Sequence, residues 1–465
     1  MLNATVFATF FFIGVGVLLL QVLHKFVSKA KTNTNPQFLQ FQRTYLTVYF
    51  LVLLGDWLNA PYLYKLYASY GFIEDQIAII YVCGFASALA FGVVSSYAVN
   101  RHGKCRVFVI ATFVYAVSCF IKLSSNYTLL IVGRMFSGAA TSLLFSAQEA
   151  WYLHSHIQVH DFPIDWIEYT LTAASKGSSL LAISAGVLSY LLCEVYSFGP
   201  VVPSVLSVPL LLVSCVCAIQ KWKQGSNSGK KPEQMSIKTN TPPSIIKLEK
   251  KQIFKGCCKE LQLLVQSTVL LQVGFVQALF ESVLCLFVFL WTPVLDHHHP
   301  PLGMVFASFM VSAFFGASLY RLIKSIWHLA SALIMIGILL VAGAAVLTCV
   351  LSTAPTSEFP VLSYCAFLLF EFASGMYFPA MSDIKKDMEL EKDGSSATRW
   401  FRVPLNLFAC AGLLLLHSST NTTGTKNLFA CCFAAVMVAF IISIRLHTHL
   451  KEKARISPGD GESLL

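Results

Sequence analysis

The stretch QALFESVLCLFVFLWTPVL, Gln277–Leu295, is apolar enough and long enough to cross the roughly 30 Å of hydrocarbon in a bilayer as one helix. A single acid, Glu281, interrupts it, and no Lys or Arg lies in the same stretch. A carboxylate near mid-bilayer costs about 2.5–3.5 kcal/mol on insertion scales, so it marks a partner or a task. The rest of the chain has the same character. Of 465 residues, 56% are hydrophobic and 12% charged, and the mean hydropathy is +0.67. A soluble domain carries roughly 25% charged residues. The apolar residues form separate blocks rather than one core, which makes the chain an all-α polytopic membrane protein.

Thirteen blocks qualify as spans: Thr5–Val22, Gln42–Leu66, Gln76–Val99, Cys105–Lys122, Thr128–Gln148, Thr170–Leu192, Phe198–Ile219, Leu264–Trp291, Leu302–Ile323, Leu329–Leu351, Pro360–Met381, Trp400–His417 and Asn427–Arg445. Threading them through a bilayer sorts the charges. Lys25, Lys29, Lys31, Arg101, Lys104, Arg106, Arg321, Lys324, Lys385, Lys386 and a cluster of lysines between 220 and 262 fall on one side. Only Lys65, Lys122 and Lys426 fall on the other. The positive-inside rule then predicts an outer N-terminus and a cytoplasmic linker and C-terminus. The sequons at Asn3, Asn126 and Asn421 all lie on the predicted outer side. The net charge of +10 therefore reports topology, and nucleic acid is not an expected partner. Most of the 14 cysteines lie inside apolar blocks without metal-like spacing. Cys257 and Cys258, in a basic loop, are candidates for palmitoylation. No metal site and no cofactor are expected. Neither a phosphate-cradling Walker loop nor a nucleophile with its base is visible, so the protein is not read as an enzyme or an ATP-driven pump.

The two halves repeat. RMFSG (Arg134–Gly138) aligns with EFASG (Glu371–Gly375), and AFGVVSSY (Ala90–Tyr97) with FFGASLY (Phe314–Tyr320). Lys176 precedes Gly186 as Arg402 precedes Gly412, ten residues in each case. Paired six-helix halves place a substrate site between them. The organisation read from this is an extra helix with its connector (1–35), a first bundle (36–219), a basic linker (220–262), a second bundle (263–446) and a tail (447–465).

Six plus six helices joined by a basic linker is the plan of the major facilitator superfamily, and two motifs resemble it. VNRHGKCR (Val99–Arg106) has its basic-Gly-basic turn, with Asn100 where that superfamily carries an acid. GRMFSG (Gly133–Gly138) resembles its fourth-helix motif. A narrower resemblance, to the eukaryotic molybdate-anion transporters, rests on FLQFQRTYLTVYFLVLLGDWLNAPYLYKLY (Phe38–Tyr67), FSAQEAWY (Phe145–Tyr152), HDFP (His160–Pro163), FESVLCLFVFLWTPVLD (Phe280–Asp296), GMYFPAMS (Gly375–Ser382) and WFRVPL (Trp400–Leu405). It covers about residues 36–445 and implies uptake of molybdate, a tetrahedral dianion, across a cellular membrane, which is expected to be the plasma membrane. Another small inorganic or organic anion, and a transporter-like receptor or scaffold that moves nothing, remain alternatives.

The resemblance brings no residue-level site, so the site is read from the intramembrane charges. Arg134 is the leading oxyanion ligand, because guanidinium keeps its charge and offers a planar set of donors. Asn59 and Tyr62 are secondary ligands. Lys176 and Arg402 are candidate cations toward the cytoplasmic end. Asp56 and Glu371 are read as acids that hold Arg134 when substrate is absent, and Glu281 as a carrier of a coupled proton.

Overall fold

The computed structural model describes residues 2–27, 35–227, 267–353, 359–389, 401–417 and 421–456. Most of the linker, the cysteine pair at 257 and 258, and the end of the tail lie outside them. The described residues are helical throughout, without strands. In chain order the α-helices are α1 (Leu2–Val27), α2 (Pro36–Leu58), α3 (Leu63–Ser69), α4 (Glu74–His102), α5 (Lys104–Ile121), α6 (Tyr127–His154), α7 (Ile167–Tyr190), α8 (Val202–Asn227), α9 (Thr268–Asp296), α10 (Leu302–Trp327), α11 (Ser331–Ser352), α12 (Pro360–Glu389), α13 (Arg402–His417) and α14 (Asn421–Ile456). Twelve segments are long and apolar enough to span a bilayer, with Arg402–Leu414 as a shorter thirteenth. One of the twelve, Pro36–Ser69, contains both α2 and α3.

Local chemistry sets several ends. Asn35 caps α2 by accepting from the amides of Gln37 and Phe38, and Pro36 sits at the first helical position, where its missing N–H costs nothing. Asn126 caps α6 through the amide of Leu129. Gly103 alone joins α4 to α5, at φ +89°, a conformation open to glycine and strained for other residues. α2 stops at Leu58 with Asn59 as its C-cap, just before Pro61, and the chain restarts as α3 at Leu63.

The helices sort into two bundles, α2–α8 and α9–α14. In each bundle the second helix packs on the fourth, α4 on α6 and α10 on α12, and the repeat motifs lie at these crossings. A Cβ on Gly138 would strike the carbonyl of Gly84, and one on Gly375 would strike that of Ala313. Small residues let backbones touch where lipid removes the hydrophobic drive between helices. The bundles meet along α7 and α10 and along α4 and α13. Large apolar side chains such as Phe11, Phe12, Phe113 and Leu171 point outward, as a lipid-facing surface requires.

The first helix docks on the second bundle, although it precedes the first in the chain. Thr9 and Tyr364 share a hydrogen bond of 2.6 Å, and Gln21 donates to Ser318 at 2.9 Å. Phe315 lies against Gly16. Against α7, α1 places Phe7 on Tyr190, with ring centres 5.9 Å apart, and packs near Ile183.

Candidate functional site

The end of the first span carries a polar core. Asn59, at the C-terminus of α2, donates to the carbonyl of Gly55 at 2.7 Å and to Ser207 on α8 at 3.0 Å. Its Oδ1 accepts from Lys122 Nζ at 2.5 Å. Lys122 is the C-cap of α5 and is 4% exposed; among the described residues its other hydrogen bond goes to Ser204 at 3.4 Å. Its ammonium is buried among neutral groups, with no ion pair to any described carboxylate. The sequence gives Lys122 as an outer-loop lysine. The structure turns it inward, because Asn59 and Ser204 of α8 offer acceptor oxygens there.

Asp56, one turn before Asn59, accepts a short hydrogen bond from Tyr115 on α5. Arg134, on α6, lies with its stem across Gly84 and its guanidinium 5.0 Å from the centre of the Tyr81 ring. Only glycine fits at 84, since a Cβ would sit 2.9 Å from Arg134 Cγ and Nε. The buried Nε of Arg134 has no hydrogen-bond partner. Asp56, Lys122 and Arg134 all feel one another's charge. The cluster therefore holds two cations and one acid, with the acid engaged by a tyrosine.

The expected pairing of Arg134 with Asp56 or Glu371 is not formed, and no ion pair involves Arg134 among the described residues. Glu371 is 6% exposed on α12 of the other bundle, and no charged group among the described residues acts on it. Glu281, on α9, is approached by Tyr377 at 3.4 Å and feels Lys385 first and Arg402 second. Its cations thus come from the second bundle and not from Arg134. Arg402 itself is exposed at the start of α13. Lys176 is not with Arg134 either; its charged neighbours are Arg321 and Lys25. Among the described residues no group of His, Cys, Asp and Glu is placed to hold a metal.

Tyr62 is engaged between the bundles. Its hydroxyl donates to Glu194 at 2.6 Å and accepts from the amide of Gly303 at 3.1 Å. Glu194 also accepts from the amide of Leu302 at 2.8 Å, so one carboxylate caps the start of α10 from the end of the α7 span. Close by, Lys65 holds Asp296 at 2.6 and 2.8 Å, which joins the first and second bundles. Trp57 faces Phe306, and Tyr64 and Tyr81 both meet the edge of Phe289. Gly186 and Gly303 bring the α7 and α10 backbones into direct contact here. At the opposite, lysine-rich face the ion pair between the bundles is Lys386 with Glu168 at 3.2 Å, both side chains exposed. Exposed pairs contribute about 0–1 kcal/mol. Among the described residues the polar contacts between the bundles thus concentrate at the face near Pro61, which we read as the sealed face, and the lysine-rich face shows one exposed ion pair. Glu194 escaped the sequence reading because the fifth core span was ended at Leu192; a π turn over Leu191–Val195 carries the helix past it.

An arrangement of this kind, a guanidinium with an unspent N–H and a buried ammonium beside an interface closed at one end, suits an oxyanion carried between two bundles. A family profile described as sugar transporters of 12 TM helices matches residues 6–366. The molybdate-anion transporter of Xenopus tropicalis is 39% identical over 457 residues, covering 96% of each chain. That of Danio rerio is 38% identical over 426 residues, covering 89% of this chain and 88% of the relative. Among solved structures, a peptide transporter POT in complex with sulfate superposes with a TM-score of 0.66 at 12% identity, covering 88% of this chain and 95% of that one. The nucleoside transporter NupG does so at 0.57 and 11%, covering 88% and 99%. At these identities the solved structures speak for the fold alone, whereas the full-length relatives define the family. The chain belongs to the molybdate-anion transporter family and has the two-bundle fold of the major facilitator superfamily.

Proposed function

We propose that the protein is a secondary transporter that takes up molybdate by alternating access, with the bundles 36–219 and 263–446 rocking about a site at the Arg134 cluster. The observation that carries this is the surplus of positive charge inside the first bundle: buried Lys122 and half-buried Arg134 against Asp56, whose carboxylate is already bonded to Tyr115. A buried cation without a counter-ion is expensive, and a tetrahedral dianion supplies the missing charge. The name carried by the relatives specifies the same anion. Arg134 would donate to the oxyanion, and Lys122 would act through its charge, with Asn59 orienting the ammonium. Tyr62 then serves the gate rather than the substrate, because both its hydrogen bonds go to the sealed face.

The lysine-rich face is read as cytoplasmic and the sealed face as outer, with the N-terminus outside and the protein in the plasma membrane. Glu281 is read as the carrier of a proton that accompanies the dianion inward, held by Tyr377 and drawn toward Lys385 and Arg402. The test is uptake of labelled molybdate into proteoliposomes, with sulfate as competitor. Flux that Arg134→Ala abolishes in protein that still reconstitutes supports the reading. Absence of flux in wild-type vesicles removes it.

A further inference from the structure

Three helices bring four basic residues together at a place the transport cycle does not use. His24 and Lys25 lie at the end of α1, Lys176 lies on α7 and Arg321 near the end of α10. The contacts between these helices fix the register. On α7, Tyr190 meets Phe7 and Ile183 packs near Ile13 and Val17. Lys176 is one further heptad along the same face, which delivers it to His24 and Lys25. On α10, Ser318 receives Gln21, and three residues further on both helices Arg321 comes beside His24. The electrostatics agree, since His24 feels Lys176 and Arg321, and Lys176 feels Arg321 and Lys25.

No described carboxylate pairs with any of the four. Lys176, Arg321 and His24 are half-buried, so solvent does not fully screen their repulsion. Such a cluster at the lysine-rich face is stable when an anion occupies it. The surroundings are apolar and open sideways: Phe26 is 82% exposed, Trp327 64% and Leu180 56%. A free ion needs no such surface, whereas acyl chains do.

We propose that His24, Lys25, Lys176 and Arg321 bind the phosphate headgroup of an anionic membrane lipid where α1, α7 and α10 meet. Arg321 and Lys176 supply charge-assisted donors at the lower edge of the headgroup layer, and His24 and Lys25 close over it. The lipid would bridge the first bundle, through α7, to α1 and the second bundle, through α10.

The test is native mass spectrometry of the full-length protein released from mixed micelles containing phosphatidylinositol and phosphatidylcholine. Wild type should retain phosphatidylinositol in preference, and Lys176→Gln with Arg321→Gln should weaken that retention by about thirtyfold. If that double variant does not fold, His24→Gln with Lys25→Gln reads the same site from more exposed positions and should lower retention by about tenfold. A melting temperature raised by phosphatidylinositol and unmoved by millimolar inorganic phosphate assigns the anion to lipid. Equal retention of the two lipids, unchanged retention in the variants, or equal stabilisation by inorganic phosphate overturns the proposal.

Discussion

Replacing Lys122 by Met separates what a buried cation does for the fold from what it does for the substrate. Met fills a similar volume without charge. The fold is relieved of a desolvated ammonium, and replacing buried charge by packed apolar groups is often neutral or stabilising by about 1–4 kcal/mol. Against this, Asn59 Oδ1 loses its 2.5 Å donor and keeps only Cys119 Sγ at 3.8 Å. An unsatisfied buried acceptor costs about 1–3 kcal/mol. The two terms nearly cancel, so the melting temperature should stay close to wild type or rise slightly. Substrate binding has no such compensation. At an effective dielectric near 20, two unit charges attract by about 4 kcal/mol at 4 Å and about 2 kcal/mol at 8 Å. A dianion within about 8 Å of Lys122 therefore loses about 4 kcal/mol or more, roughly a thousandfold in affinity. The assay is concentration-dependent uptake of labelled molybdate into proteoliposomes beside thermal unfolding of the same preparation. Uptake with a KM within about threefold of wild type, in protein of unchanged stability, refutes a role for Lys122 in binding. A large fall in melting temperature refutes the stability reasoning, by making the ammonium a net stabiliser of the bundle.

Tyr62→Phe deletes the hydroxyl between Glu194 and Gly303 and should weaken the sealed face by about 1–3 kcal/mol; a cysteine placed near Phe306 should then react faster with an impermeant thiol reagent from the side of the N-terminus, and an unchanged rate counts against the gate. Gly375→Ala forces a methyl into the backbone of α10 at Ala313 and should cost about 1–3 kcal/mol, read as a lower melting temperature, while Gly337→Ala, where no atom stands in the way, should not. Glu281→Gln removes the proposed proton carrier: wild-type uptake should rise as pH falls, and the variant should be slower and flat with pH. A variant that keeps the full pH dependence excludes Glu281 from coupling.

The spans, the two halves and the repeat were legible because bilayer insertion and helix crossing leave strong local marks. Gly138 and Gly375 stand at the same crossing in each half, and only glycine fits either place. What the sequence hid was direction around a helix. Lys122 follows an apolar run, as a headgroup lysine would; the oxygens that draw it inward come from Asn59 and Ser204, 63 and 82 residues away in the chain. Lys176 has the right height but a different azimuth, because the helix that faces it there, α1, lies outside the repeat. Tyr62 is read from sequence as a ligand without its partner Glu194, which lies beyond the predicted end of its span. Pro61 was the usable hint: a broken helix end exposes polar groups that must be satisfied nearby.

The docking of α1 on the second bundle has a mechanical consequence. Its chain reaches the first bundle through residues 28–34, so this short stretch, like the long basic linker, connects one bundle to the other. Seven residues reach at most about 25 Å when fully extended. The linker, over 228–266, is more than five times as long and sets no limit. Under the proposed rocking the amino-terminal connection is thus the shorter tether, and lengthening it with Gly-Ser insertions tests whether it limits the amplitude without touching a single residue of the site.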